Sequence, residues 1–315
     1  MSEGGGATTL TARLGARLRR ALAPPTIVLL YHRVLPEVRR DINQLVTRVD
    51  AFAAHLAWVR QHARPLRLTE FLDQFRRPSR TKPALDGGKP RVLITFDDAY
   101  VDNLHHALTV LQEFNVEATV FAASGLIGTN SPFWWDELES IVFDGVGDTS
   151  DEARRRTYRE QHARLKPMTH EERNAVLAEL ATRTGPPSSE FGRPMTWSEL
   201  RVWCDAGMSV GGHTRTHPQL SAQQSDDVAR EITQCRRELQ LHLERAIDAF
   251  AYPFGSGEDF DERGMNAACD AGFACAFANR PGNARWAPGL YAIPRYLVRD
   301  WTGDEFAARI EEWCR

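Results

Sequence analysis

The run Thr26-Ile27-Val28-Leu29-Leu30-Tyr31 holds only β-branched, apolar and aromatic side chains, with no alternation toward water. A strand with one solvated face alternates polar and apolar residues, whereas an unbroken run is a strand covered on both faces, as in parallel α/β sheets. Comparable runs recur at Arg91-Val92-Leu93-Ile94, Ala118–Ala122, Met208–Gly212, Ala249–Pro253, Phe273–Ala278 and Tyr291–Val298. Helix-patterned sequence separates most of them: Asp50 to Gln61 sets Phe52, Leu56, Trp58 and Val59 on one face, and further helices are predicted over Leu104–Phe114, Ser225–Arg245 and Glu262–Ala271. Strand–helix–strand connections of this kind are parallel and right-handed. About seven such strands predict an α/β fold, a distorted (β/α) barrel of parallel strands whose C-terminal ends gather the functional groups.

The rhythm changes between about 129 and 195. Pro132-Phe133-Trp134-Trp135 leads into charged helical sequence without a strand signal, which predicts a helical insertion in a barrel domain spanning 26–315. Thr169-His170-Glu171-Glu172, Thr196-Trp197-Ser198-Glu199 and Thr302-Gly303-Asp304-Glu305 open helices, the first two as capping boxes. Residues 1–25 form a basic leader, with Leu10, Leu14, Leu18 and Leu22 spaced by four and Arg13, Arg17, Arg19 and Arg20 between them. That amphipathic pattern over 10–22 is either a weak contact with an anionic membrane surface or a leader docked on the domain. A formal charge of −3 gives no general attraction for nucleic acid. The five cysteines are odd in number and contain no Cys-x-x-Cys pair, which suits reduced thiols in the cytoplasm better than a disulfide framework. The expected location is cytoplasmic, with the leader allowing a peripheral position on the inner membrane face.

Two polar clusters interrupt the apolar runs where strands end. Thr95-Phe96-Asp97-Asp98-Ala99-Tyr100 closes one strand, and His213-Thr214-Arg215-Thr216-His217 follows another far downstream. One carboxylate and two imidazoles can hold a divalent metal with a position left open, while a second carboxylate stays free to take a proton.

These segments resemble the polysaccharide deacetylase family, the NodB-homology or carbohydrate esterase family four, over roughly 26–315. The family's Thr-Phe-Asp-Asp-Gly-Tyr motif matches Thr95–Tyr100 with Ala99 in the glycine position, and its His-Ser/Thr-x-x-His motif matches His213–His217. The resemblance implies that Asp98, His213 and His217 bind the metal, zinc first and cobalt, nickel or iron as substitutes, and that Asp97 is the general base. It implies an N-acetylated amino-sugar substrate, releasing acetate. A third motif corresponds to Phe250-Ala251-Tyr252-Pro253-Phe254-Gly255; the family's arginine is absent, and the Phe254 N–H is carried over as an oxyanion donor.

No histidine follows His242, so the acid at the family's C-terminal end has no counterpart there. Leu30-Tyr31-His32 instead resembles the permuted arrangement of poly-N-acetylglucosamine deacetylases, which makes His32 the acid; otherwise it is a strand-end histidine satisfied by a carbonyl. In Ile293–Trp301 the resemblance implies an aspartate, Asp300, holding the acid histidine, with Trp301 walling the pocket. Arg295 is a candidate substitute for the missing arginine, pairing with Asp97. Trp134 and Trp135 either cover a sugar ring or pack the insertion. The same machinery would also serve a deformylase or deacylase of a lipid-linked sugar or secondary metabolite. A non-catalytic carbohydrate-binding relative is the remaining reading.

Overall fold

The structure is a computed structural model that describes residues 24–38, 40–76, 88–144, 150–182, 192–284, 287 and 289–314. The predicted leader helix over 10–22 lies outside the described residues. Ten strands occur among them: β1 (Thr26–Tyr31), β2 (Arg33–Leu35), β3 (Val46–Arg48), β4 (Arg64–Pro65), β5 (Arg91–Phe96), β6 (Ala118–Ala122), β7 (Ser209–Gly212), β8 (Ala249–Ala251), β9 (Cys275–Phe277) and β10 (Tyr296–Leu297). Seven run in the order β10-β1-β5-β6-β7-β8-β9, and β4 pairs with β5 beside that path. Every ladder is parallel. The last segment joins the two edges: Ile293 bridges Phe277 of β9, and four residues later Leu297 of β10 pairs with Leu30 of β1. The sheet curls into the expected distorted barrel. A small parallel pair, β2 with β3, was not signalled by the sequence.

Parity along the strands sorts the side chains. Ile27 and Leu29 of β1, Val92 and Ile94 of β5, and Val120 of β6 join one cluster with Phe52, Leu56, Trp203, Ile232 and Phe306 of the surrounding helices. Val28, Leu93, Phe121, Ala249, Ala251, Phe277 and Ile293 form a second cluster, the barrel interior. Both faces are therefore covered, which accounts for the unbroken apolar runs. Gly211 is needed for this interior, because a Cβ there would lie 2.4 Å from the Phe121 ring and 2.8 Å from the Ala249 carbonyl. Residues 129–195 contain the helices Trp134–Asp144, Asp151–Leu165 and His170–Ala181, which share their own apolar cluster. No helix among the described residues is long and apolar enough to cross a membrane.

Candidate active site

Asp97 continues the inward parity of Leu93 and Thr95 at the end of β5, and His32 follows Tyr31, whose partner across the ladder is Phe96. Asp97 and His32 thus leave adjacent strands at one level of the barrel mouth. Arg295, two residues after inward-facing Ile293, reaches Asp97 from the closing segment. Its Nη1 and Nη2 donate to the two carboxylate oxygens at 2.7 Å each, and the guanidinium is fully buried between the Phe121 and Phe277 rings. Burial works to raise the Asp97 carboxyl, but Arg295, with His213 adding to it, holds the group below the ordinary carboxylate range.

Asp98, His213 and His217 converge beside this pair. All three are buried, and their candidate ligand atoms lie within 4.8 Å of one another. Asp98 Oδ1 is 3.6 Å from His213 Nε2 and 3.4 Å from His217 Nε2. Ligand atoms about 2.1 Å from a common tetrahedral centre stand about 3.4 Å apart, so the set has the span of a metal site. Asp98 Oδ1 accepts no hydrogen bond among the described residues, and burial with neighbouring Asp97 and Asp136 pushes its carboxyl well above the usual range. A cation is the partner such an oxygen lacks. His213 Nδ1 bonds the Ala251 carbonyl at 2.8 Å, which turns Nε2 toward the cluster. Burial lowers both imidazoles, keeping their ring nitrogens available as lone-pair donors.

The loops that carry these groups are strained. Asp98, Ala99, Thr214, His217 and Phe254 all have positive φ, between 52° and 72°, without being glycine. Side chains from other segments hold the His213–His217 loop. Glu231, on the helix Ser225–Leu243, accepts from the Arg215 and Thr216 amides at 2.7 Å and from the Thr216 hydroxyl at 2.7 Å. Arg173, from the insertion helix His170–Ala181, is buried and donates to the Thr216 carbonyl at 3.4 Å. Neither residue carried a sequence signal; a lone Glu or Arg on an amphipathic helix reads as a solvated face.

Among the other expected residues, Phe254 sits in a positive-φ turn with its ring 4.9 Å from the His217 ring and Lys166 Nζ 4.5 Å above its own. Trp134 and Trp135 are buried packing groups that also border the site. Trp135 lies 4.8 Å from the His217 ring and donates to Tyr100, whose hydroxyl donates to Asp136. Tyr252 is packing: buried, stacked on Phe260 and bonded to the Tyr291 carbonyl. His32 is half-buried, with Nδ1 unpartnered among the described residues; burial pushes its imidazole down to about 4, Asp97 opposing and Arg295 reinforcing.

Asp300 is a correction. Its carboxylate accepts from the Arg48 amide at 2.9 Å and Arg48 Nε at 2.8 Å, so it pins the start of the helix Val49–His62 and does not hold His32. Trp301 likewise does not wall the pocket: it packs with Arg309 and Trp313, and its carbonyl bonds His55. The physical reason is direction. The chain leaves the barrel mouth after β10 and turns outward into the helix Gly303–Trp313.

The fold is shared with known proteins. The chain is 22% identical over 289 residues to YxkH of Bacillus subtilis (strain 168), provisionally described as a polysaccharide deacetylase, covering 90% of this chain and 75% of that one. Two solved structures share the fold: the Streptococcus pyogenes deacetylase PplD in complex with acetate (TM-score 0.63, 17% identity, 93% of this chain and 100% of that one) and IcaB from Ammonifex degensii (TM-score 0.60, 20% identity, 93% and 97%). The family model described as polysaccharide deacetylase matches residues 84–276, more than half of the sequence, and the chain belongs to that family of hydrolytic carbohydrate de-N-acetylases.

Proposed function

We propose that this protein removes the N-acetyl group of an amino sugar in a polysaccharide, oligosaccharide or glycoconjugate, using a divalent cation, zinc first, bound by Asp98, His213 and His217. A divalent cation at such a set supplies Lewis acidity toward the amide carbonyl and lowers the pKa of water. Asp97 takes the proton of the attacking water, because Arg295 keeps it ionised inside the barrel. The Phe254 N–H donates to the oxygen that gains charge as the amide carbon becomes tetrahedral. His32 enters neutral, takes over the proton that Asp97 accepted from water, which returns Asp97 to its carboxylate, and passes it to the departing nitrogen as the C–N bond breaks. The products are acetate and the free amine. A cytoplasmic site of action is part of the proposal and is supported by the free cysteines alone.

The observation that carries this reading is the orphaned Asp98 oxygen facing two imidazoles while the adjacent Asp97 is engaged by Arg295. The test is acetate release from N-acetylhexosamine oligosaccharides, with metal content measured in parallel. Zinc-dependent turnover is expected to be lost on chelation. Asp97→Asn should lose about 10²–10⁴-fold in kcat with metal still bound, whereas His217→Ala should lose the metal itself. Full turnover in Asp97→Asn would overturn the base assignment.

A further inference from the structure

The helix Asp151–Leu165 of the insertion shows an unusual stripe. Arg155, Tyr158, Arg159 and His162 follow at the i, i+3, i+4, i+7 spacing that a core-facing helix fills with apolar residues. This stripe instead lines a cavity of about 280 Å³, closed on its other side by the loop Ile42-Asn43-Gln44 between β2 and β3. The volume is near the low end for small-molecule sites and suits a single sugar unit. Arg155 and Arg159 are exposed, and neither has an ion-pair partner among the described residues. Like charges at i and i+4 weaken a helix, so two unpaired guanidiniums side by side are held at a cost. A third, Arg299, stands behind the cavity and donates to the Asn43 and Gln44 carbonyls. Of the acids on the inner side of Tyr158, Asp41 accepts from the Leu45 and Val46 amides and Asp136 from Tyr100, while Glu139 Oε1 lies 4.0 Å from Arg40 and accepts no hydrogen bond among the described residues.

The cavity is joined to the catalytic centre by a single aromatic layer. The His162 ring is 4.8 Å from Trp134 and 6.5 Å from Phe254, and Phe254 is 4.9 Å from His217. Tyr158 accepts from Asn43 Nδ2 at 2.6 Å and reaches the Trp135 carbonyl at 3.4 Å. One or two sugar units span such a separation. Arg forks match carboxylate and phosphate oxygens; Tyr158 is buried and forms the floor, and the half-buried His162 ring is the aromatic group a sugar can reach.

We propose that this cavity is a substrate subsite for an oxyanion-bearing sugar, a uronic acid or a sugar phosphate, neighbouring the residue that is deacetylated. The inference rests on the de-N-acetylase reading for its link to turnover, so its test has an arm that does not. Acetate release is compared for an N-acetylglucosamine trisaccharide, the same length of oligosaccharide with a neighbouring glucuronate, and one with a neighbouring phosphomonoester. The wild type should favour at least one acidic compound by tenfold or more in kcat/KM, through KM, and lose the preference at high salt. Arg155→Gln/Arg159→Gln should bring that ratio close to one. The acidic compound preferred identifies the oxyanion. Independently, calorimetry with an oligoglucuronate and an oligosaccharide phosphate, both lacking any N-acyl group, should register binding to the wild type that the double variant loses. Equal use of neutral and acidic compounds, a preference that survives the double substitution, or no calorimetric binding of either acidic probe would overturn the subsite. If none of the compounds releases acetate, the de-N-acetylase reading fails and the calorimetry still decides whether the cavity takes an oxyanion.

Discussion

Arg295 and Asp97 are far apart in the chain and form one buried two-pronged ion pair, each carboxylate oxygen taking a 2.7 Å bond. In its proposed role as base Asp97 is useful only while ionised, and burial by itself works to protonate it. Arg295→Gln removes the cation that opposes burial, so the Asp97 pKa rises. The group must be deprotonated to act, so the acidic limb of the kcat/KM profile should move to higher pH. The same change strands a buried carboxylate and should cost about 3–5 kcal/mol in urea unfolding. Asp300 gives the opposite expectation. It is half-buried on Arg48 at the edge of the fold, so Asp300→Asn should leave kcat unchanged and cost under about 1 kcal/mol. A fall of 10-fold or more in kcat would return Asp300 to the role the resemblance implied.

At the scale of elements, the helix Trp197–Asp205 shows how a cap fixes a segment next to the site. Thr196 and Glu199 complete a capping box, and Arg193 grips Glu199 with two 2.8 Å bonds. The same stretch is tied to the Asp97–Asp98 loop, since the Met195 amide donates to the Ala99 carbonyl at 2.9 Å and Pro194 bridges Tyr100. The Arg193 bonds hold the Glu199 carboxyl down at about 2, against a burial effect and with help from Thr196. A carboxyl depressed in the folded state adds stability that is complete above its unfolded pKa and fades as pH falls through the folded one. Glu199→Gln should therefore be less stable than the wild type at pH 6 to 7, with the difference closing between about pH 4.5 and 2. Urea unfolding across that range measures it. Thr196→Ala should cost about 1 kcal/mol at neutral pH by removing the cap.

For the whole molecule, the three candidate ligand atoms, from loops after β5 and β7, meet only in the folded barrel, so a cation bound by them would favour the folded state. At a hundred times its Kd, such an ion adds about 2.7 kcal/mol. Zinc should raise the melting temperature of chelator-treated protein by several degrees, and His217→Ala should abolish the rise. Much of this was legible in the chain itself. The unbroken strands declared burial on both faces, the strand–helix alternation declared parallel crossovers, and the Asp97-Asp98 and His213–His217 clusters stood out because polar groups are costly at the ends of buried strands. Thr and Glu at fixed offsets likewise announced the helices after Thr169, Thr196 and Thr302, since those interactions are made within four residues. What the chain could not declare are contacts whose partners are set by closure of the sheet. Arg173 and Glu231 on the Thr216 peptide, and Asp300 on Arg48 instead of His32, depend on which strand lies beside which and where the chain turns; Arg295 on Asp97 was expected only by way of the family resemblance, not from local pattern. Local sequence fixes periodicity, caps and strand ends, because these act over a few residues along the backbone; the pairing of charges across the barrel follows from three-dimensional neighbourhood, which no short stretch encodes.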